Sequence, residues 1–138
     1  MDIAALRAEM DNDPTGLGFA AMVAAGDDGG VAAGFVVTID NGPAFYHAGD
    51  TALFSDMRLI SELYAPTLAF LPIGDRFTMG PREAAYALEL LSSVTAVVPV
   101  HWGTFPLLTG TPEALVSELA KRGHTVAVHA LKPGETLG

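Results

Sequence analysis

From residue 44 to the end of the chain, short apolar runs typical of strands alternate with amphipathic stretches typical of helices. This alternation constrains the fold more than any other feature, because strands joined by helical crossovers pair in parallel and build a layered α/β structure. The predicted strands cover residues 44–48, 68–73, 94–100 and 125–131. The predicted helices cover residues 51–64, 81–92 and 111–123.

Before residue 44 the patterns are weaker. Residues 1–10 carry a faint helical stripe, residues 19–25 resemble a short strand, and residues 32–39 resemble a longer one. Asn41-Gly42 then predicts a hairpin turn that leads this last strand into residues 44–48. One antiparallel hairpin followed by parallel strands predicts a mixed sheet.

Length and composition limit the classes of protein that fit. A chain of 138 residues, half of them hydrophobic, suits one domain over residues 1–138 with its own core. The net charge of −9 disfavours binding to nucleic acid or to an anionic membrane surface. The chain has no cysteine, which excludes disulfides and thiolate metal sites, and it shows no signal peptide or membrane span. We therefore expect a cytoplasmic protein.

Polar clusters follow three successive predicted strands, at residues 47–51, 74–80 and 101–105. In an open α/β sheet the functional site lies beyond the carboxyl ends of the strands, so we expect these clusters to meet at one edge. Asp50 and His101 are suitable ligands for a divalent metal. Each also has a structural interpretation, since Asp50 can cap the helix predicted from Thr51 and His101 can be a satisfied core histidine.

The other polar and aromatic residues near the strand ends have simpler interpretations. His47 is expected to pack or to support a ligand, Asp75 and Arg76 to form a local ion pair, and His124 and His129 to be structural or exposed. Trp102 and Phe105 are more typical of a core than of a substrate-binding surface. The chain contains neither a P-loop nor a Gly-x-Gly-x-x-Gly motif, which counts against a nucleotide-binding domain.

Three motifs resemble one known family. They read Tyr-His-Ala-Gly-Asp-Thr at residues 46–51, Leu-Pro-Ile-Gly-Asp-Arg-Phe-Thr-Met-Gly-Pro at 71–81, and Pro-Val-His-Trp-Gly-Thr-Phe-Pro at 99–106. In this order they are similar to the C-terminal motifs of metal-dependent hydrolases of the metallo-β-lactamase superfamily. The branch that looks most similar is the one containing L-ascorbate-6-phosphate lactonase. The resemblance covers residues 31–138 and leaves residues 1–30 as a divergent N-terminal segment.

The resemblance implies a function and a site. In that family the aspartate that maps to Asp50 bridges two metal ions, and the histidine that maps to His101 completes the second metal site. It implies a divalent metal, zinc or manganese, and hydrolysis of an ester, lactone or phosphoester of a small molecule by metal-activated water. It also implies half of an αββα sandwich, with a mixed sheet and helices on one face.

The family's other metal ligands have no counterpart in this sequence. The first histidine is His47, so the His-x-His-x-Asp-His motif of the N-terminal half is absent, and residues 25–30 read Ala-Gly-Asp-Asp-Gly-Gly instead of a histidine loop. We expect weak metal binding and no hydrolysis by the chain alone, with a missing N-terminal half as the complement. The alternative is a non-catalytic remnant that serves as a folded interaction module.

Half a sandwich has a sheet face without its partner sheet. On the strand at residues 32–39 this face holds Phe35, Val37 and Ile39, or Val36 and Thr38 in the opposite register. A second copy of the chain can cover such a face, so a homo-oligomer is expected.

Overall fold

The computed structural model describes residues 33–137, which form five strands and three helices. The strands are β1 (Phe35–Thr38), β2 (Ala44–His47), β3 (Leu68–Pro72), β4 (Ala96–Val100) and β5 (Ala127–Val128). The helices are α1 (Met57–Tyr64), α2 (Pro81–Leu90) and α3 (Pro112–Lys121). From β2 onward strand and helix alternate, as the sequence predicts.

All five strands lie in one sheet, in the same order as in the chain. β1 is antiparallel to β2 and the strands from β2 to β5 are parallel, so the predicted mixed sheet is confirmed. Because every parallel connection steps to the next strand in the same direction, right-handed crossovers put all three helices on one face. The core joins the helices to that face and includes Met57, Ala84, Leu88 and Leu115 packed with Tyr46, Ala69, Leu71 and Val97.

The opposite face of the sheet, here called the open face, carries no helix within residues 33–137. Strand register places on it Phe35, Val37, Phe45, His47, Leu68, Phe70, Pro72, Ala96, Val98, Val100 and Ala127. Pro72 and Val98 among them are buried. The rings of Phe45 and Phe70 meet edge to face, with centroids 5.8 Å apart. Val36 packs against the core instead, so the first of the two registers considered for this strand is correct.

The hairpin forms at the predicted turn. The Gly42 amide donates to the Ile39 carbonyl at 2.8 Å, and Asn41 takes the left-handed backbone that such turns require, with φ 58°.

The first helix begins later than predicted, at Met57 instead of near residue 51. The carbonyl of Thr51 accepts a hydrogen bond from the Met79 amide at 3.0 Å, so it is committed to a neighbouring loop and not to a helical turn. The residue before the helix is Asp56, whose side chain makes no capping bond. The apolar spacing over residues 51–56 therefore reflects loop packing.

The last strand is shorter than predicted, with two residues in place of 125–131. The carbonyls of Thr95 and Val97 accept from the amides of Ala127 and His129, so odd-numbered residues of β4 bond toward β5. The next such residue is Pro99, which has no amide hydrogen to donate, and the ladder ends there.

The helix and strand predicted at residues 1–10 and 19–25, and the start of the strand at 32–39, lie outside the described residues. Within the described part of the chain, no helix has the length and apolar character needed to cross a membrane.

Gly110 packs tightly against Ile73, the residue that follows β3, and we expect Gly110→Ala to destabilise the fold. A Cβ there would lie 1.6 Å from the Ile73 carbonyl oxygen, so the backbone would have to move. We expect a loss of about 3 kcal/mol, measured by urea unfolding. Gly123→Ala is the control, because its Cβ meets nothing within 4 Å and only its φ of 70° opposes the change, at a cost of about 1 kcal/mol. Equal losses in the two variants would contradict this prediction.

Candidate metal site

The loops that follow β2, β3 and β4 meet at the carboxyl edge of the sheet. Hydrogen bonds hold them in place: the Ile73 amide donates to the Val100 carbonyl at 3.1 Å, and the Met79 amide donates to the Thr51 carbonyl at 3.0 Å. The three polar clusters recognised in the sequence therefore share one edge, as parallel strands require.

Asp50 and His101 are brought together at this edge. The Nε2 atom of His101 lies 3.6 Å from the Oδ2 atom of Asp50, and their side chains are 26% and 50% exposed. This separation is longer than a hydrogen bond. Two ligands about 2.1 Å from a tetrahedral zinc lie roughly 3.4 Å apart, so the spacing fits two donors of one metal ion.

The surroundings of His101 are unlike those of a satisfied core histidine. Its Nδ1 atom is buried and has no hydrogen-bond partner within the described part of the chain. Its backbone is left-handed, with φ 54°, a conformation that is strained for a residue with a side chain. His101 is therefore not the satisfied core histidine of the structural interpretation, and its role as a metal ligand stays a prediction.

Gly74 allows His101 to sit where it does. A Cβ at Gly74 would lie 2.2 Å from the His101 carbonyl oxygen and 3.1 Å from its Nδ1. The sequence shows this glycine at the end of a predicted strand, but nothing in its neighbours along the chain indicates that it packs against a histidine 27 positions later.

Asp50 is not a helix cap. The helix begins at Met57, six residues beyond Thr51, and its N-cap is Asp56. The capping interpretation is wrong because Thr51 leads into a loop. The carboxylate of Asp50 is half exposed at the edge of the sheet, facing His101.

His47 packs and supports the loop that carries Asp50, as predicted. Its ring stacks on Phe70 with centroids 5.5 Å apart. Its Nδ1 accepts a hydrogen bond from the Gly49 amide at 3.1 Å, which requires an unprotonated Nδ1. Burial lowers the pKa of His47, and the nearby charge of Asp50 opposes this only in part.

Other predicted interactions at this edge are different in the structure. Asp75 makes no ion pair with Arg76 among the described residues; its carboxylate accepts from the Thr109 hydroxyl at 3.3 Å, and its backbone is left-handed with φ 79°. The hydrogen bond from Thr109 therefore takes the place of the predicted local pair.

The aromatic residues of these loops divide between two environments. Trp102 packs against the core and donates from Nε1 to the Pro99 carbonyl at 3.0 Å, as expected. Phe105 does not belong to the core. It is exposed and pairs with Phe77, with ring centroids 6.4 Å apart. The sequence carries no signal for this pair, because the two residues lie in different loops.

His124 and His129 lie away from this edge. The Nε2 atom of His124 is 3.8 Å from a carboxylate oxygen of Glu89, on the surface between α2 and α3. His129 follows β5 and bonds through its backbone to Val97.

The donor set for a metal is incomplete within residues 33–137. No group of three histidine, cysteine, aspartate or glutamate side chains there is arranged to hold a metal ion. A catalytic zinc normally has three protein ligands, so Asp50 and His101 fit as part of a site and not as the whole.

Comparison with known proteins places the chain in a family. A family model described as a beta-lactamase superfamily domain matches residues 4–102. This chain belongs to that superfamily, and its fold is that of the metallo-β-lactamase hydrolases.

Relatives that this chain resembles are named metal-dependent hydrolases. A UPF0173 metal-dependent hydrolase of Chloroflexus aurantiacus is 56% identical over 108 residues, which are 78% of this chain and 44% of that relative. One from Rubrobacter xylanophilus is 56% identical over 110 residues, 80% of this chain and 45% of the relative. Igni18, a metallo hydrolase from Ignicoccus hospitalis, superposes with a TM-score of 0.71 at 42% identity, covering 80% of this chain and 46% of Igni18. The chain thus spans less than half the length of these relatives.

The lowered pKa of His47 predicts a pH dependence of stability. Below the ordinary pKa of 6.5 the unfolded chain takes up a proton that the native His47 resists, so stability is full above pH 6.5 and falls as the pH decreases toward the native pKa. One such proton contributes at most about 1.4 kcal/mol per pH unit. We expect His47→Asn, which keeps an acceptor near the position of Nδ1, to flatten this slope.

Urea unfolding between about pH 5 and 7, the range in which an ordinary histidine titrates, provides the measurement. His124→Asn removes a histidine distant from the site and serves as the control. Slopes that are the same in wild type and His47→Asn would show that His47 does not carry the effect.

Proposed function

We propose that this chain contributes Asp50 and His101 to the metal site of a metal-dependent hydrolase that cleaves an ester, lactone or phosphoester in a small molecule. The observation that carries the proposal is the 3.6 Å approach of His101 Nε2 to Asp50 Oδ2. The relatives of this chain are named metal-dependent hydrolases, which supports the proposal. The narrower assignment to the L-ascorbate-6-phosphate lactonase branch remains a prediction.

The two residues have distinct tasks in this proposal. Asp50 offers a half-exposed carboxylate with lone pairs free for a cation, and His101 offers an imidazole nitrogen held by the strained turn after β4. When bound, a divalent ion acts as a Lewis acid and lowers the pKa of water. Carboxylate and imidazole together suit zinc, with manganese as the second candidate. We place this chemistry in the cytoplasm.

The remaining ligands are proposed to come from outside residues 33–137. The relatives are more than twice as long as their matched segments, which leaves room for a second set of ligands in the whole hydrolase. A polypeptide that corresponds to the missing N-terminal half is the proposed complement.

The second candidate function is a non-catalytic interaction module. It is favoured by one observation, the lack of a third metal donor near Asp50 and His101 in the described residues. The two candidates differ in whether the Asp50–His101 pair binds metal at all.

Metal binding by the 138-residue chain tests the site. We expect Zn²⁺ or Mn²⁺ to bind weakly in isothermal titration calorimetry, with a Kd above about 1 µM, because water fills most of the coordination sphere. Asp50→Asn and His101→Gln should each weaken binding by at least about tenfold, a loss of ~1.4 kcal/mol. Asp56→Asn and His124→Gln are the controls, since they remove the same groups elsewhere. Wild-type affinity in both site variants would refute the assignment.

Catalysis is expected to require the missing ligands. The chain alone should hydrolyse lactone and phosphodiester substrates no faster than buffer containing the same metal, because two ligands do not hold a metal firmly enough to activate water. Adding the unmatched part of the Chloroflexus aurantiacus relative as a separate polypeptide should produce turnover that a chelator removes and that Asp50→Asn abolishes. Chelator-sensitive turnover by the purified chain alone would contradict this expectation.

A further inference from the structure

A groove begins at Asp50 and runs along the helix-covered face of the sheet. Its first part is a cavity of about 110 Å³ that Asp50 lines. Its second part, of about 430 Å³, extends between the hairpin and α1 as far as Ile60 and Tyr64. The two parts adjoin, because three residues line both of them: Gly34, Tyr46 and Phe54.

The walls of the groove are largely apolar. Asp50 is the one charged residue among those that line it within residues 33–137, and the other side chains are mainly aromatic or aliphatic. No lysine or arginine belongs to this described lining, so a phosphate group in the groove would lack a cationic partner there. A cleft of several hundred Å³ with apolar walls and few polar groups is typical of a site for a small molecule.

The groove lies on the side of the sheet away from the proposed complement. Val36 and Tyr46, which line it, pack with the core on the helix side. In an αββα sandwich the second sheet packs against the other side, which is the open face. Successive side chains of a strand point to opposite faces of the sheet, so an occupant of the groove does not compete with the partner sheet.

We propose that this groove binds the hydrocarbon part of the substrate, so that the hydrolase acts on a lactone or ester that carries an apolar chain. The inference rests on the proposed function, because the groove begins at the candidate ligand Asp50. A carbonyl group held beside Asp50 leaves its chain to extend past Phe54 toward Tyr64. The net charge of −9 also favours a neutral ligand over an anionic one. Burial of the chain supplies binding energy away from the reacting bond and orients the carbonyl.

Lactone binding by the full 138-residue chain in the presence of a chelator tests the groove without metal or turnover. In two-dimensional ¹H–¹⁵N NMR spectra we expect γ-decalactone to shift the backbone amides of Gly34, Ala48 and Phe54, with a Kd on the order of 1 mM. γ-Butyrolactone has the same ring without the alkyl chain. We expect it to bind at least about tenfold more weakly, because it buries much less apolar surface.

Two variants locate the ligand in the groove. Phe54→Ala removes one wall and should weaken γ-decalactone binding by about fivefold. Phe105→Ala is the matched control, because both phenylalanines are 39% exposed and Phe105 does not line the groove. Tyr64→Ala, at the far end, should weaken the binding of γ-decalactone and leave that of γ-butyrolactone unchanged. It also repeats the test if Phe54→Ala does not fold, as judged by circular dichroism.

Two results would overturn the proposal. The first is a spectrum in which γ-decalactone shifts none of the amides at the groove, or shifts them no more strongly than γ-butyrolactone does. The second is the same γ-decalactone affinity in wild type, Phe54→Ala and Tyr64→Ala, which would locate the ligand elsewhere. Metal binding is measured separately by calorimetry. A chain that binds the lactone in the groove but binds no metal would therefore refute the proposed metal site and not the groove.

Discussion

Parallel pairing of β2, β3 and β4 is the constraint on which the site depends. The register aligns His47 with Phe70 and Phe70 with Val98, so the three strands end at nearly the same level. Residues that are 51 positions apart in sequence then emerge at one edge, where Asp50 and His101 approach to 3.6 Å. Without this alignment the two motifs would be unrelated polar loops, because neither contains more than one of the donors.

The turn after β4 contains two features of His101 that cost free energy and that the surrounding structure must offset. A left-handed backbone at His101 and a buried Nδ1 without a partner in the described residues each cost on the order of 1–3 kcal/mol. The adjacent packing compensates for this cost: Trp102 is anchored to the Pro99 carbonyl, and Gly74 leaves room for the ring. A small domain tolerates such local cost where its core is well packed, and the helix-covered face of this sheet meets that condition.

Most of the fold could be predicted from sequence because its signals are local. Pro81 and Pro112 mark helix starts, Asn41-Gly42 marks the hairpin, and apolar runs mark β3 and β4. The errors arose where a distant partner decides the outcome. The Met79 amide donates to the Thr51 carbonyl, so α1 begins later than predicted. Pro99 in β4 cannot donate to β5, so β5 is shorter than predicted. In the site, Asp50 and His101 could be predicted as candidate ligands because they lie at strand ends and in motifs that resemble a family. The contact of Gly74 with His101 could not be predicted, because no neighbouring residue indicates it.

The sequential order of the strands has a consequence for synthesis. Among the five described strands, each pairs with the strand made just before it, so these strands can join the sheet one after another. The hairpin of β1 and β2 forms from residues close in sequence, and each following helix and strand adds a unit of short loop closure, which favours rapid folding. During translation the growing edge of these strands is always the newest one, and the last of them, β5, pairs through two residues and leaves little exposed edge to attract another chain.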